Sequence, residues 1–104
     1  MSDTTVNTRG KEKVKIPAPP YNVLRNAFVI STRLVKPIDT YFYLDSLKGL
    51  VRIKKNDDDE RVIFKSEEEN TSGIVDTFEC EGYYLIVTQH TIYLLSKEHT
   101  IVEN

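Results

Sequence analysis

Residues 73 to 96, "GIVDTFECEGYYLIVTQHTIYLLS", contain three apolar runs that are separated by two polar breaks. The runs are rich in β-branched and aromatic residues, which favour strands. Each break, Glu81-Gly82 or Gln89-His90, has the length of the commonest hairpin turn. The segment therefore predicts a meander of three antiparallel strands, and no other part of the chain constrains the fold as much.

The middle strand of this meander is apolar on both faces. Because side chains alternate along a strand, Tyr84 and Ile86 share one face, and Tyr83, Leu85 and Val87 share the other. A strand with two apolar faces is usually buried on both sides. Either a small closed barrel or a sheet covered by an N-terminal helix would bury it in this way.

Two more strands are predicted upstream of the meander. In "LVRIKK", Val51 and Ile53 fall on one face, and Arg52 and Lys54 fall on the other. The run "RVIFKS" follows after the acidic loop formed by residues 56 to 60. The two runs predict a hairpin with that loop at its tip.

The aromatic run "IDTYFYLD", residues 38 to 45, predicts a further strand. Together the runs predict a mainly β, single-domain fold over residues 38 to 104, an antiparallel meander or small barrel of about five to six strands. The side chains expected to stabilise the sheet are Tyr41, Tyr43, Val51, Ile53, Phe64, Phe78, Leu85, Val87 and Leu94.

The segment from residue 21 to 37 is predicted to be a helix or a connecting segment. Leu24 and Phe28 recur at helical spacing, and Asn22 is of a type that caps helix starts. The run "AFVIST" is β-branched and aromatic, however, which favours a strand. We expect a helix over one open end of the sheet. The alternative fold is α+β, with residues 22 to 35 as a full helix across the sheet.

The first 20 residues are polar, contain the basic run "RGKEKVK" and end in "PAPP". Such a composition buries too little apolar area to offset the entropy of ordering the chain. We therefore predict a flexible, basic and proline-rich arm at residues 1 to 20.

Composition excludes several classes of protein. The chain has 104 residues, a length that allows one hydrophobic core. Its net charge of -2 gives no strong overall attraction to nucleic acid. Its one cysteine, Cys80, permits neither an intramolecular disulfide nor a metal site made of cysteines, and we expect it to be an inert core residue. The first residues lack the apolar stretch of a signal peptide, so we do not expect secretion.

No pattern in the chain predicts catalysis, a metal site or a cofactor. The acidic loop "NDDDE" lacks the glycine that a calcium-binding EF-hand loop needs at its sixth position. His90 and His99 have no partners at the spacing of metal ligands. A nucleophilic pair of Cys80 and His90 would place the thiol in a core strand, away from substrate. We therefore predict a non-enzymatic protein.

Nucleic-acid binding is the main alternative function. Four basic residues come together if the two upstream strands pair, and the neighbouring aromatic residues could stack on bases. The acidic clusters at residues 57 to 60 and 67 to 69 would repel phosphate from the same edge. The candidate nucleic-acid-binding residues are Arg52, Lys54, Lys55 and Lys65.

One order of segments resembles a known group of proteins. Lys36-Pro37-Ile38 leads into "TYFYLDSL", and "GLVRIKK", "KSEEENTSGIV" and "YLIVTQHTIYLLS" follow. This order resembles small uncharacterised β-rich proteins of large nucleocytoplasmic DNA viruses, the giant viruses and their algal-virus relatives. The resemblance covers residues 36 to 96 and contains no catalytic motif. The chain departs from it at "NDDDE", which is longer and more acidic than the hairpin of that group.

The resemblance implies a viral gene product in the cytoplasm of the host cell or in the virus particle. We therefore expect a non-enzymatic protein-interaction module, or a structural or accessory component of the virion, that binds a viral or host protein or a second copy of itself. The alternative is a small-barrel nucleic-acid-binding protein. We expect neither a membrane nor a small-molecule substrate as a partner.

Overall fold

The computed structural model describes residues 17 to 103. The fold is mainly β, as predicted, and it contains one main helix. Sixteen residues of the predicted arm lie outside the described range. The elements are α1 (Tyr21–Leu34), β1 (Ile38–Asp39), α2 (Tyr43–Leu47), β2 (Arg52–Lys55), β3 (Arg61–Phe64), β4 (Ile74–Cys80), β5 (Tyr83–Thr88), β6 (Ile92–Ser96) and β7 (Ile101–Val102).

The strands form two mixed sheets. The larger sheet has the order β1-β6-β5-β4 and the smaller one has the order β3-β2-β7. Each sheet gains a short parallel strand at one edge, because β1 pairs with β6 and β7 pairs with β2. Both sheets are open in the described part of the chain, so the barrel form of the prediction is not found there.

The predicted meander is confirmed by β4, β5 and β6. Glu81 and Gly82 form the first turn, and both have positive φ, 48° and 87°. A two-residue turn of this kind matches the twist of the strands that it joins. The second hairpin pairs Leu85 with Leu94. The upstream hairpin of β2 and β3 is also confirmed, with Lys54 paired to Val62.

The larger sheet separates two cores, so β5 is buried on both sides as predicted. Ile86 of β5 packs between the two sheets, whereas its neighbour Leu85 packs under α1. The chain therefore forms three layers, α1, the larger sheet and the smaller sheet. The inter-sheet core contains Phe42, Val51, Ile53, Ile63, Ile86 and Leu95, and the helix-side core contains Val23, Ala27, Tyr43, Leu85 and Leu94.

A helix is found in the predicted segment, but it packs across the face of the larger sheet, as in the alternative, and not over an open end. Its start also differs from the prediction. Pro20 occupies the N-cap position and makes no side-chain cap hydrogen bond. Asn22 lies inside the helix, and its amide Nδ2 donates to Glu81 Oε2 at 2.7 Å. Asn22 therefore joins the helix to the first turn of the meander and does not cap the helix.

The prediction of a strand over residues 38 to 45 was wrong. The strand ends at Asp39, whose Oδ1 accepts a hydrogen bond from the Tyr41 backbone N–H at 2.8 Å. This local bond turns the chain, and α2 then directs Phe42 into the inter-sheet core and Tyr43 into the helix-side core. Phe42 and Tyr43 therefore reach the two cores from a short helix and not from a strand of the sheet.

Three of the aromatic residues expected to stabilise a sheet therefore do something else. Tyr41 is exposed, and Tyr43 is buried from α2. Phe78 does lie in a strand, β4, but at the edge of the larger sheet, where it is 40% exposed. The expected aliphatic residues of β2, β5 and β6 are all buried.

Candidate interaction surface

The most unusual surface of the molecule is a row of exposed apolar side chains on α1. We call this row the helix stripe and define it as Tyr21, Leu24, Phe28 and Val35, which are 76%, 46%, 67% and 88% exposed. Spacings of three, four and seven residues place side chains on one side of a helix. The four side chains therefore lie on one side of the helix, in a row that the polar Ser31 and Thr32 interrupt between Phe28 and Val35.

A different face of α1 packs on the sheet. Val23 and Ala27 are 0% and 1% exposed, and Ile30 packs against the same helix-side core. At 100° per residue, the helix stripe is rotated by roughly 120° from this buried row. Helix α1 therefore has two apolar rows, and the sheet covers only one of them.

The last residue of the stripe has a strained backbone. Val35 caps the C-terminus of α1 with φ of 54° and ψ of 49°, the left-handed region. A β-branched residue is an outlier in this region, which glycine usually occupies at a helix C-terminus. The bonds around Val35 fix this conformation, because Ser31 Oγ donates to the Lys36 carbonyl at 2.5 Å and Lys36 Nζ donates to the Thr88 carbonyl at 2.8 Å.

The charge of the segment that carries the stripe differs from that of the chain after it. Residues 21 to 36 contain three basic residues, Arg25, Arg33 and Lys36, and no acidic residue. Residues 37 to 103 contain seven basic and fourteen acidic residues, a net charge of -7. The segment that carries the stripe is therefore basic, and it lies on an acidic body.

The N-terminus of α1 adds to this positive character. Its first turn contains no acidic residue, and the Pro20 side chain makes no capping bond. The first backbone N–H groups of a helix carry partial positive charge, which an acidic residue would normally offset. The Glu81 carboxylate lies at this end, where it accepts from Asn22, so part of the charge is balanced.

The predicted nucleic-acid-binding residues of β2 already have partners within the molecule. Arg52 forms an ion pair with Glu103, and Lys55 Nζ lies 3.4 Å from Asp59 Oδ1. Lys54 Nζ lies 4.4 Å above the centre of the Phe64 ring, a cation–π contact. Arg52 and Lys54 share one face of β2, as the alternation predicts, but acidic and aromatic groups accompany their charges.

Lys65, the fourth predicted residue, is held by carboxylates from two elements. Its Nζ lies 2.9 Å from Asp45 Oδ2 of α2 and 3.4 Å from Glu69 Oε1. The hydrogen bond to Asp45 is the main reason why the pKa of Lys65 is raised. Tyr41 also donates to Glu69 Oε1, at 2.7 Å. This cluster fastens α2 to the loop after β3, so Lys65 is committed to a structural contact.

A groove of about 310 Å³ opens between the two sheets. Apolar side chains from both sheets form its walls, and Arg61 and Asp76 lie among its lining residues. Its other lining residues are Ile53, Ile74, Val75, Thr77, Tyr84 and Val102. The groove is close to the lower size limit of small-molecule sites.

The free edge of β4 is partly blocked. Asp76 Oδ1 accepts a hydrogen bond from the Thr77 backbone N–H at 2.9 Å, and the register shifts between Ile74 and Asp76. Edge carboxylates and bulges are devices that discourage the addition of a further strand. The edge is therefore less open to a further strand around Asp76 than a regular edge would be.

Cys80 is only partly buried, and not fully buried as a core residue would be. It packs against the helix-side core, and Asn26 Nδ2 lies 3.1 Å from its Sγ. His90 is exposed in the turn between β5 and β6. Within residues 17 to 103, no group of three metal-ligating side chains occurs. No helix in that range is long and apolar enough to cross a membrane.

Comparison of the chain with protein-family models, with curated proteins and with solved structures gave no match.

Sequence reasoning identified the helix but did not assign its faces. Leu24 and Phe28 supported the helix prediction by their spacing, and both are exposed. A second apolar series at Val23, Ala27 and Ile30 has the same period and is the one that packs on the sheet. Two overlapping apolar series in one helix were the signal for two apolar rows, and this signal is present in the sequence.

Proposed function

We propose that this chain is a non-enzymatic protein-interaction module and that the helix stripe is its contact surface. The observation that carries the proposal is that α1 buries one apolar row in the core and exposes a second row. Contiguous exposed apolar patches mark interaction sites, and aromatic residues supply much of the binding energy at such sites. Tyr21 and Phe28, both more than half exposed, are the two aromatic residues of the stripe.

The strain at Val35 supports the same proposal. Folding gains little from a side chain that is 88% exposed, and a left-handed valine costs about 1–2 kcal/mol. Backbone strain of this kind is concentrated at functional sites. A role in binding accounts for both the exposure and the strain.

A narrower form of the proposal concerns the biological setting. The resemblance of residues 36 to 96 to proteins of large DNA viruses supports a component of the virion or an accessory factor in the host cytoplasm. The partner is then a viral or host protein. Of the two function classes considered, protein interaction agrees better with β2, where acidic or aromatic side chains accompany the predicted cations.

Affinity capture from the native source tests this proposal with matched variants. Phe28→Ser removes a ring from the stripe, and Val75→Ser removes an apolar side chain that is 63% exposed on β4. We expect the partner to be lost with Phe28→Ser and retained with Val75→Ser, and nuclease treatment should not release it. Thermal unfolding of both variants should match that of the parent chain. A partner that Phe28→Ser retains in full would overturn the proposal.

A further inference from the structure

We infer that the partner segment on the helix stripe is an acidic amphipathic helix. This inference rests on the proposed function and adds the chemistry of the partner. The inference is argued from three properties of the helix stripe, which are its shape, the internal hydrogen bonding of its backbone and the charge beside it.

The shape of the stripe fits a second helix. From Tyr21 to Val35 the row extends about 20 Å along α1, at a rise of 1.5 Å per residue. A row of this length matches about four turns of a partner helix. Side chains that recur at three and four residues on one helix form ridges, which pack into the grooves of another helix.

The backbone of α1 excludes the main alternative, an extended peptide. A peptide that binds as a strand gains its affinity from main-chain hydrogen bonds to an open sheet edge. In α1 the backbone groups bond within the helix, so the stripe offers side chains only. The exposed edge of β4 does offer backbone groups, but Asp76 covers the N–H of Thr77 there.

The charge around the stripe selects an acidic partner. Arg25 is exposed and lies beside the stripe, rotated by roughly 70° from its centre. Because residues 21 to 36 contain no carboxylate, nothing in α1 repels an acidic helix. Complementary charge of this kind raises association rates and rejects basic partners.

The same charges disfavour a symmetric dimer formed through the stripe. Pairing α1 with α1 of a second copy would bring the Arg25 side chains of both copies, and no helix carboxylate, into one interface. Like charges facing each other across an interface are unfavourable. The occupant is therefore a different segment, with carboxylates flanking apolar residues at helical spacing.

Selection from two displayed peptide libraries tests the inference. One library consists of helical peptides with fixed apolar positions at spacings of three, four and seven, and random residues beside them. The other consists of random extended peptides. Peptides from both libraries are selected for binding to the full chain, and those that also bind the Phe28→Ser variant are removed. We expect helical peptides to be enriched, with Asp and Glu beside the apolar row.

Two charge-reversal variants provide the matched control for one selected peptide. Arg25→Glu lies beside the stripe, and Arg33→Glu lies roughly 150° from its centre on the same helix. Both variants change the net charge equally. We expect Arg25→Glu to weaken binding by roughly three- to tenfold and Arg33→Glu to have less effect. Added salt should reduce the difference.

The outcomes separate this inference from the proposed function. Enrichment of basic or neutral helices, or of extended peptides, would overturn the acidic-helix inference and leave the protein-interaction proposal standing. If neither library yields a peptide whose binding depends on Phe28, the proposed function itself is contradicted. Sedimentation with vesicles containing phosphatidylserine, if it is abolished by Phe28→Ser, would assign the stripe to a lipid surface and overturn both.

Discussion

The outer face of α1 and the outer face of the β2–β3 hairpin are both exposed, but they differ in what they leave unsatisfied. On the hairpin, Arg52, Lys54 and Lys55 each contact an acidic or aromatic side chain of the same molecule. On α1, Tyr21 and Phe28 are exposed beside a second apolar row that already secures the helix. A surface that is neutralised internally has less to offer a partner than one whose apolar area stays in water.

This difference favours one class of function over the other. Binding to nucleic acid depends on cations that are free to replace the counterions of phosphate. Binding to protein depends on exposed apolar and aromatic side chains. At Arg52, Lys54 and Lys55 an acidic or aromatic side chain competes with phosphate for the cation, whereas the helix stripe exposes two aromatic rings.

The largest effect is expected from comparing adjacent positions on α1. Ala27→Asp places a charge in the helix-side core, where Ala27 is 1% exposed, and should destabilise the fold by about 3–5 kcal/mol. Phe28→Asp introduces the same charged side chain at an exposed position and should cost less than about 1 kcal/mol, because Phe and Asp differ little in helix propensity. Urea unfolding followed by circular dichroism measures both values. Similar losses at the two positions would mean that Phe28 belongs to the core.

The second prediction concerns the hairpin. Because its cations are paired, we expect single-stranded and duplex DNA and RNA to bind more weakly than about 10⁻⁴ M, the weak limit of non-specific binding at physiological salt. Fluorescence anisotropy at two salt concentrations measures this. The double variant Arg52→Glu, Lys54→Glu is the control. If nucleic acid binds tightly, if its affinity falls steeply with salt and if this variant abolishes it, then the hairpin and not α1 carries the functional face.

The parts of the fold that could be predicted are those where one local pattern decides the outcome. The meander from residue 74 to 96 follows from alternation and from two-residue breaks, and it is found as predicted. The hairpin of β2 and β3 follows from the same signals. In both cases neighbouring strands are joined by short turns, so no long-range information is needed.

The parts that failed depend on contacts between distant segments. The run around Tyr41 and Tyr43 has strand-like composition, but it forms α2, which packs on β6 and places Phe42 and Tyr43 in the two cores. The parallel strands β1 and β7 are two residues long and pair only because the chain brings them to β6 and β2. Which of two apolar rows of α1 would be buried likewise depends on the sheet beneath it.

The third prediction concerns the strain at the end of the stripe. Val35→Gly removes the penalty of a left-handed β-branched residue and should raise the free energy of unfolding by about 1 kcal/mol. It also removes an apolar side chain from the stripe, so binding to the captured partner or a selected peptide should weaken. A thermal melt and a binding titration on the same sample measure the two effects. A gain in stability with unchanged affinity would remove Val35 from the binding surface.

The smallest effect is expected at the carboxylate that joins the loop after β3 to α2. The hydrogen bond from Tyr41, together with the nearby Lys65 ammonium, lowers the pKa of Glu69 from its ordinary value near 4.5. A lowered pKa in the folded state means that the charged carboxylate stabilises the fold above the ordinary pKa. That contribution is lost as the pH falls through the folded-state value.

Glu69→Gln keeps an acceptor for Tyr41 but removes the charge that titrates. The variant should therefore be slightly less stable than the parent at about pH 7, and the difference should shrink as the pH falls below the ordinary pKa of the carboxyl and through its lowered folded-state pKa. Urea unfolding at a series of pH values measures the difference, and Glu68→Gln, at an exposed position in the same loop, is the matched control. A difference between parent and Glu69→Gln that stays constant across this range would show that the Glu69 charge does not stabilise the loop. The polar cluster would then depend on Lys65 and Asp45 alone.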